Sequence, residues 1–120
     1  LVLEYAGANC PLYLVRDAQV QQYTPDKRPI GGFDLGDLGF TDHRIQLRKG
    51  DVIYIFSDGY ADQFGGPKGK KFLNRRFREL LVAIHDKPMD RQKSLLLEEL
   101  NKWRGAQEQV DDILVMGMRA

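Results

Sequence analysis

Hydrophobic and polar positions alternate in short blocks along the first half of the chain and recur at helical spacing in the second. Leu1–Tyr5, Pro11–Val15 and Val20–Tyr23 are rich in Leu, Val and Tyr, the composition of strands. Gly7-Ala8-Asn9 and the tight Arg16-Asp17-Ala18-Gln19 stretch between them supply turn residues. From Arg44 to Lys49, Ile45 and Leu47 fall on one face and Arg44, Gln46 and Arg48 on the other, as in a half-exposed strand. Val52-Ile53-Tyr54-Ile55-Phe56 is apolar on both faces and predicts a central, fully buried strand. Lys49-Gly50-Asp51 reads as the turn that joins these two strands in a hairpin.

Phe77, Leu80, Leu81 and Ile84 then recur at helical spacing and predict a helix from Asn74 to His85. A second helix begins near Pro88, a residue suited to a first turn, and carries Leu96, Leu100 and Trp103 on one face. Gly105 is its natural stop. Ile113–Met118 is a last strand, directly after Asp111-Asp112. Thr24–Gly39, with Pro25, Pro29, Gly31, Gly32, Gly36 and Gly39, is a long loop, and Gly65–Lys71 is a second loop. The pattern predicts an α+β fold of antiparallel sheet flanked by helices.

At 120 residues the length suggests one domain. Lys and Arg number 18 against 17 Asp and Glu, for a net charge of +1, so no global charge points to nucleic acid or a membrane surface. No apolar run approaches the ~20 residues that cross a bilayer. Cys10 is the only cysteine. That excludes an internal disulfide, fits a reducing compartment and reads as a small buried hydrophobe. Leu1 opens directly on a strand with no signal peptide before it, which suggests a piece of a longer protein.

Chemistry concentrates at two acidic positions, each at the edge of an apolar strand: Asp58 after Val52–Phe56, and Asp111-Asp112 before Ile113–Met118. If those strands are antiparallel neighbours the carboxylates converge, and convergent carboxylates repel unless a cation lies between them. Hard cations such as Mg²⁺ and Mn²⁺ take such oxygen ligands. The plainer alternative is an ordinary Asp58-Gly59 turn and a solvated Asp111-Asp112 lead-in. His43 and His85 have no metal-ligand spacing, His85 suiting a helix end. Neither a G-x-S-x-G elbow nor a nucleotide-binding glycine motif occurs. Lys68, Lys70, Lys71, Arg75, Arg76 and Arg78 form a local basic stretch, either a solvated face or a patch that steers an anionic partner. Phe72 and Phe77 beside it suit core anchors better than a stacking platform for nucleic acid.

Gly50-Asp51-Val52-Ile53-Tyr54-Ile55-Phe56-Ser57-Asp58-Gly59 and Glu108-Gln109-Val110-Asp111-Asp112-Ile113-Leu114-Val115 resemble the two C-terminal motifs of the metal-dependent serine/threonine protein phosphatases (PPM, type 2C-like). Within that family they resemble the bacterial SpoIIE-like branch, whose members regulate sigma factors by partner switching. Tyr5-Ala6-Gly7-Ala8-Asn9-Cys10-Pro11-Leu12 and Pro29-Ile30-Gly31-Gly32 fit earlier stretches of that branch, and Asp62–Phe72 looks like a subgroup carried on large bacterial sensor proteins.

The resemblance implies a β-sandwich with flanking helices and two Mn²⁺ or Mg²⁺ ions at one end of the sheets. It assigns Asp58 and Asp111 as metal ligands, with Asp112 and Gly59 behind them or as possible ligands, and an ion-acidified water as nucleophile. It implies a phosphorylated anti-sigma-antagonist-like protein as substrate, with Lys68, Lys70, Lys71 and Arg75 as a docking surface. It also implies an upstream sensor domain in the same parent chain, a cytoplasmic setting even if the parent is membrane-anchored, and no nucleic-acid or membrane partner for this segment. Ala8 stands where many relatives have histidine. The family's first half supplies a metal-bridging aspartate that no residue before Leu1 provides, so the chain resembles the C-terminal portion of a domain and is expected to be inactive alone. A non-catalytic module that binds a regulatory protein through Lys68–Arg78 is the alternative.

Overall fold

The computed structural model describes residues 1–30 and 39–120. The chain runs through β1 (Val2–Tyr5), β2 (Leu12–Arg16), β3 (Gln19–Tyr23), β4 (His43–Gln46), β5 (Val52–Phe56), α1 (Gly59–Asp62), β6 (Phe64–Gly65), β7 (Lys70–Lys71), α2 (Asn74–Ile84), α3 (Met89–Arg104) and β8 (Val115–Arg119). Gly31, Gly32 and Gly36 of the expected long loop lie outside the described residues.

Four strands form one antiparallel sheet in the order β3-β2-β5-β8, and β1 with β4 forms a separate two-stranded ribbon. β2 and β5 occupy the inner places because they are apolar on both faces. Their alternate residues Tyr13, Val15, Val52, Tyr54 and Phe56 share a core with Phe77, Leu81 and Ile84 of α2 and Leu100 of α3. Leu12, Leu14 and Ile53 point the other way and meet Ile45 and Leu47 beside the ribbon. Burying each large apolar side chain contributes roughly 1.5–3 kcal/mol, so both layers hold the sheet. The β2–β3 connection is a two-residue turn with Asp17 and Ala18 at φ 52° and 58°, the positive values that a tight hairpin of this twist requires. The result is the expected α+β architecture, with the helices on one face.

Four expectations are corrected. The strand at 44–49 forms no hairpin with Val52–Phe56: β4 pairs with β1, and β5 pairs with β2 and β8. An amphipathic strand can pair with any neighbour that offers an apolar face, so its partner is a non-local choice. Ile55 is exposed, because it sits on the ribbon side beside Met116, its partner on edge strand β8. Cys10 is exposed, in the turn where its carbonyl accepts the Tyr5 hydroxyl. Gly65–Lys71 is a short hairpin of β6 and β7 rather than an unpaired loop. Gly66 N–H donates to the Trp103 carbonyl at 2.8 Å, and Trp103 Nε1 donates to the Gln63 carbonyl at 2.9 Å. Gly65 packs so closely on Trp103 that a Cβ would overlap its carbonyl.

The helices end where the spacing predicts. His85 is the residue that closes α2, and Gly105, at φ 53°, closes α3. A buried polar knot ties their connection to the sheet: Tyr54 Oη donates to Gln92 Oε1 at 2.6 Å, and Gln92 Nε2 donates to the carbonyls of His85 and Lys87. Burial pushes the Tyr54 hydroxyl up to about 12, so it stays a neutral donor. Among the described residues no helix is long and apolar enough to cross a membrane.

Candidate functional site

The end of β5 and the lead into β8 come together as their antiparallel pairing dictates, with Phe56 opposite Val115. Past that pair, Ser57 clips the two acidic motifs. Its backbone N–H donates to the Leu114 carbonyl at 2.9 Å, its Oγ donates to the Asp112 carbonyl at 2.8 Å, and the same Oγ accepts Leu114 N–H at 2.9 Å. Gly59 presses against this junction so tightly that a Cβ would overlap the Asp112 carbonyl. Glycine is required there by space, since any side chain would push the two motifs apart.

Asp58 precedes α1, and its carbonyl accepts Asp62 N–H at 3.0 Å. Its carboxylate makes no capping bond and is exposed. α1 is held by Tyr60, which is buried against Phe72 and Phe77 and donates its hydroxyl to the Leu96 carbonyl at 2.6 Å. Burial drives the Tyr60 hydroxyl well above its ordinary range. Asp111 and Asp112 are likewise exposed, and one Asp111 oxygen accepts Asp112 N–H at 2.8 Å. None of the three aspartates has a cationic partner among the ion pairs of the described residues. The chain thus brings Asp58, Gly59, Asp111 and Asp112 to one end of the sheet. Exposed, unpaired carboxylates suit a hard cation in type. In arrangement they fall short: the backbones of the two motifs meet, but among the described residues no group of three or more His, Cys, Asp or Glu is gathered so that it could hold a metal ion.

The basic stretch is dispersed. Lys68 lies between the strands of the β6–β7 hairpin, Lys70 and Lys71 on β7, and Arg75 on α2. Lys71 pairs with Asp62 at 3.6 Å and Arg75 with Glu79 at 3.8 Å, while Arg76 lies over the Trp103 ring at 4.5 Å.

Three residues near the carboxylates carried little signal in the sequence. Ser57 was one of only two serines, and a hydroxyl at a strand end is ordinarily a local backbone partner. Arg78 and Lys27 border a cavity of about 280 Å³ whose wall includes Asp58, together with Asn9, Tyr13 and Asn74. In the sequence Arg78 stands only as part of the basic run. Lys27 sits in the loop after β3, which no local pattern places beside β5.

The family of stage II sporulation protein E (SpoIIE) matches residues 1–120. Among curated proteins none matches. Among solved structures, the SiaA-PP2C domain of Pseudomonas aeruginosa is 30% identical with a TM-score of 0.88, over 99% of this chain and 46% of that one. The PP2C phosphatase domain of SpoIIE from Bacillus subtilis, with a fragment of its regulatory domain, is 24% identical with a TM-score of 0.70, over 95% of this chain and 32% of that one. A Mn-presoaked phosphatase domain of the same Bacillus protein is 22% identical with a TM-score of 0.62, over 99% of this chain and 55% of that one. The chain therefore spans about half or less of the solved domains it resembles, and it shares their fold. With its whole length matched and its two aspartate motifs joined at one end of the sheet, the chain belongs to the SpoIIE family of PP2C-like phosphatase domains.

Proposed function

We propose that this chain supplies one flank of a Mn²⁺- or Mg²⁺-dependent site that hydrolyses phosphoserine or phosphothreonine on a signalling protein in the cytoplasm. The observation that carries it is the Ser57 clip, which joins the Asp58 motif to the Asp111-Asp112 motif while the three carboxylates have no ion pair among the described residues. Asp58 and Asp111 would hold the ions, with Asp112 beside them. When bound, such ions orient the phosphate and acidify a water for attack on phosphorus. Two octahedral ions share about ten to twelve coordination positions, so a complete site draws on carboxylates outside this set, and the chain alone is expected to be inactive.

Asp58→Ala or Asp111→Ala in the complete phosphatase domain should reduce turnover of a phosphoprotein by at least 10³-fold while leaving the unfolding transition in place. Full activity in either variant refutes the assignment.

A non-catalytic module that grips a regulatory protein through Lys68–Arg78 is the competing reading, and the shortfall of metal donors favours it. Against it, Lys71, Arg75 and Arg76 already have partners within the chain. We place phosphoprotein docking at Lys68 and Lys70, which have none among the described residues, as an accessory to the aspartate site.

A further inference from the structure

The cavity beside Asp58 has a charge pattern of its own. Arg78 follows Phe77, whose fully buried ring fixes that turn of α2 against the sheet. The Arg78 guanidinium is half-buried, and Nη1 donates to the Tyr13 hydroxyl at 3.5 Å. That long bond uses one of the five donors a guanidinium carries. Lys27 enters from the loop after β3. Arg16, Arg44, Lys71 and Arg75 all have carboxylate partners, whereas Arg78 and Lys27 have none among the described residues. Two cations without an ion pair among the described residues thus line one cavity with the Asp58 carboxylate, together with Asn9 and Asn74.

We propose that this cavity is a subsite for the phosphoryl group of a phosphate monoester, with Arg78 as a forked donor to its terminal oxygens and Lys27 as a second cation at the rim. The inference rests on the phosphatase reading of Asp58 and deepens it. A tetrahedral dianion matches the donor set better than a single carboxylate does. Its three terminal oxygens can be shared among a planar fork, a point charge and two amides, and an arginine fork is the side chain best shaped for bidentate contact with phosphate. The cavity's volume of about 280 Å³ admits the group together with its ester oxygen and attached carbon. Asp58 opposes an anion while bare, so binding of phosphate alone is expected to be weak and to be governed by the two cations.

The test is a titration of the metal-free chain with inorganic phosphate, followed by backbone amide shifts. Saturable shifts should appear around Lys27, Asn74 and Arg78. Arg78→Gln should weaken binding about tenfold and Lys27→Gln about threefold, while Lys49→Gln, in the turn at the opposite end of β5, should leave it unchanged. Asp58→Ala should tighten it. Absence of saturable binding, or equal weakening by Lys49→Gln, overturns the subsite. If Arg78→Gln does not fold, Arg78→Lys and Lys27→Gln decide the question by the same criterion. The phosphatase reading is separable: turnover retained by Asp58→Ala in the complete domain would remove it, while the phosphate titration would still stand or fall on Arg78 and Lys27.

Discussion

Asp51 and Asp58 bracket the same five-residue strand, β5, yet the fold treats them in opposite ways. Asp51 is only 3% exposed, and its carboxylate accepts Arg16 Nε at 2.9 Å, Arg16 Nη2 at 2.5 Å and the Arg48 backbone N–H at 2.7 Å. Its backbone carbonyl also accepts Ala120 N–H at 2.8 Å, fastening the end of β8. Asp58 has an exposed carboxylate, no capping bond and, among the described residues, no ion pair. A carboxylate whose acceptor sites are filled by the chain holds the fold together. One that the chain leaves open at the end of an inner strand of the sheet is free to take a ligand, and the strand fixes its position in advance.

The sharpest way to break that contrast is to remove the buried member. Asp51→Ala leaves the Arg16 fork without its carboxylate and strips the acceptor from Arg48 N–H. Loss of one partner of a buried pair costs roughly 3–5 kcal/mol, and the low end is expected because Arg16 keeps 15% exposure. Urea unfolding should show it as a lower midpoint at unchanged slope. The same pair has a pH signature. The Arg16 hydrogen bonds, and then the Arg48 amide, hold the Asp51 carboxyl below its ordinary range. Its folded value thus lies below the unfolded value of about 3.9, so its stabilisation is complete above that pH and is lost as the pH falls through the folded value. The stability gap between the natural chain and Asp51→Asn should be full at neutral pH and shrink as the pH falls below the unfolded value of about 3.9. A gap that stays constant as the pH falls through the acid range would show that Asp51 acts through shape rather than charge.

Asp51 also marks where the sequence stops being legible. Its neighbours Lys49-Gly50 signal a turn, and the turn forms, but the turn does not join β4 to β5 in one sheet. The alternation of Arg44–Leu47 fits the ribbon with β1 as well as a hairpin with β5, and only the global packing chooses. β5, β8, α2 and α3 were readable because their signals are local: a doubly apolar run, a helical stripe and glycine at a helix end. The β6–β7 hairpin was not, since Gly65 and Gly66 show no alternation and are placed by the remote Trp103. At the site, the junction of the two motifs followed from one assumption about strand pairing, which the β5–β8 ladder satisfies, while the three carboxylates do not gather into one metal-holding group among the described residues. The hydroxyl that locks the junction and the cations across the cavity could not be inferred, because each depends on residues far apart in sequence.

A smaller effect is expected from the clip. Ser57→Ala removes the Oγ bonds to the Asp112 carbonyl and from Leu114 N–H. Each net bond is worth about 0.5–1.5 kcal/mol, and water can replace part of the loss at this exposed junction, so about 1–2 kcal/mol of stability is expected to go. Its effect on metal binding should be disproportionate, because the clip sets the spacing of Asp58 from Asp112 while contributing little to the core. In the complete domain, a loss of Mn²⁺ affinity by calorimetry that exceeds tenfold, with the fold intact, would identify Ser57 as a positioning residue. Unchanged affinity would show that the β5–β8 ladder positions the carboxylates unaided.

The smallest stability effect should come from Asp58 itself, and it is the most discriminating. Asp58→Asn keeps the size of the side chain and removes a charge that has no ion pair among the described residues. With no cap or pair to break, the change should stay within about 0.5 kcal/mol, as for surface sites away from special features. An inactive Asp58→Asn of nearly unchanged stability would mean that the fold does not need this carboxylate and that it is kept for chemistry. A loss above 1 kcal/mol would instead make Asp58 a structural residue like Asp51, and the distinction between the two ends of β5 would disappear.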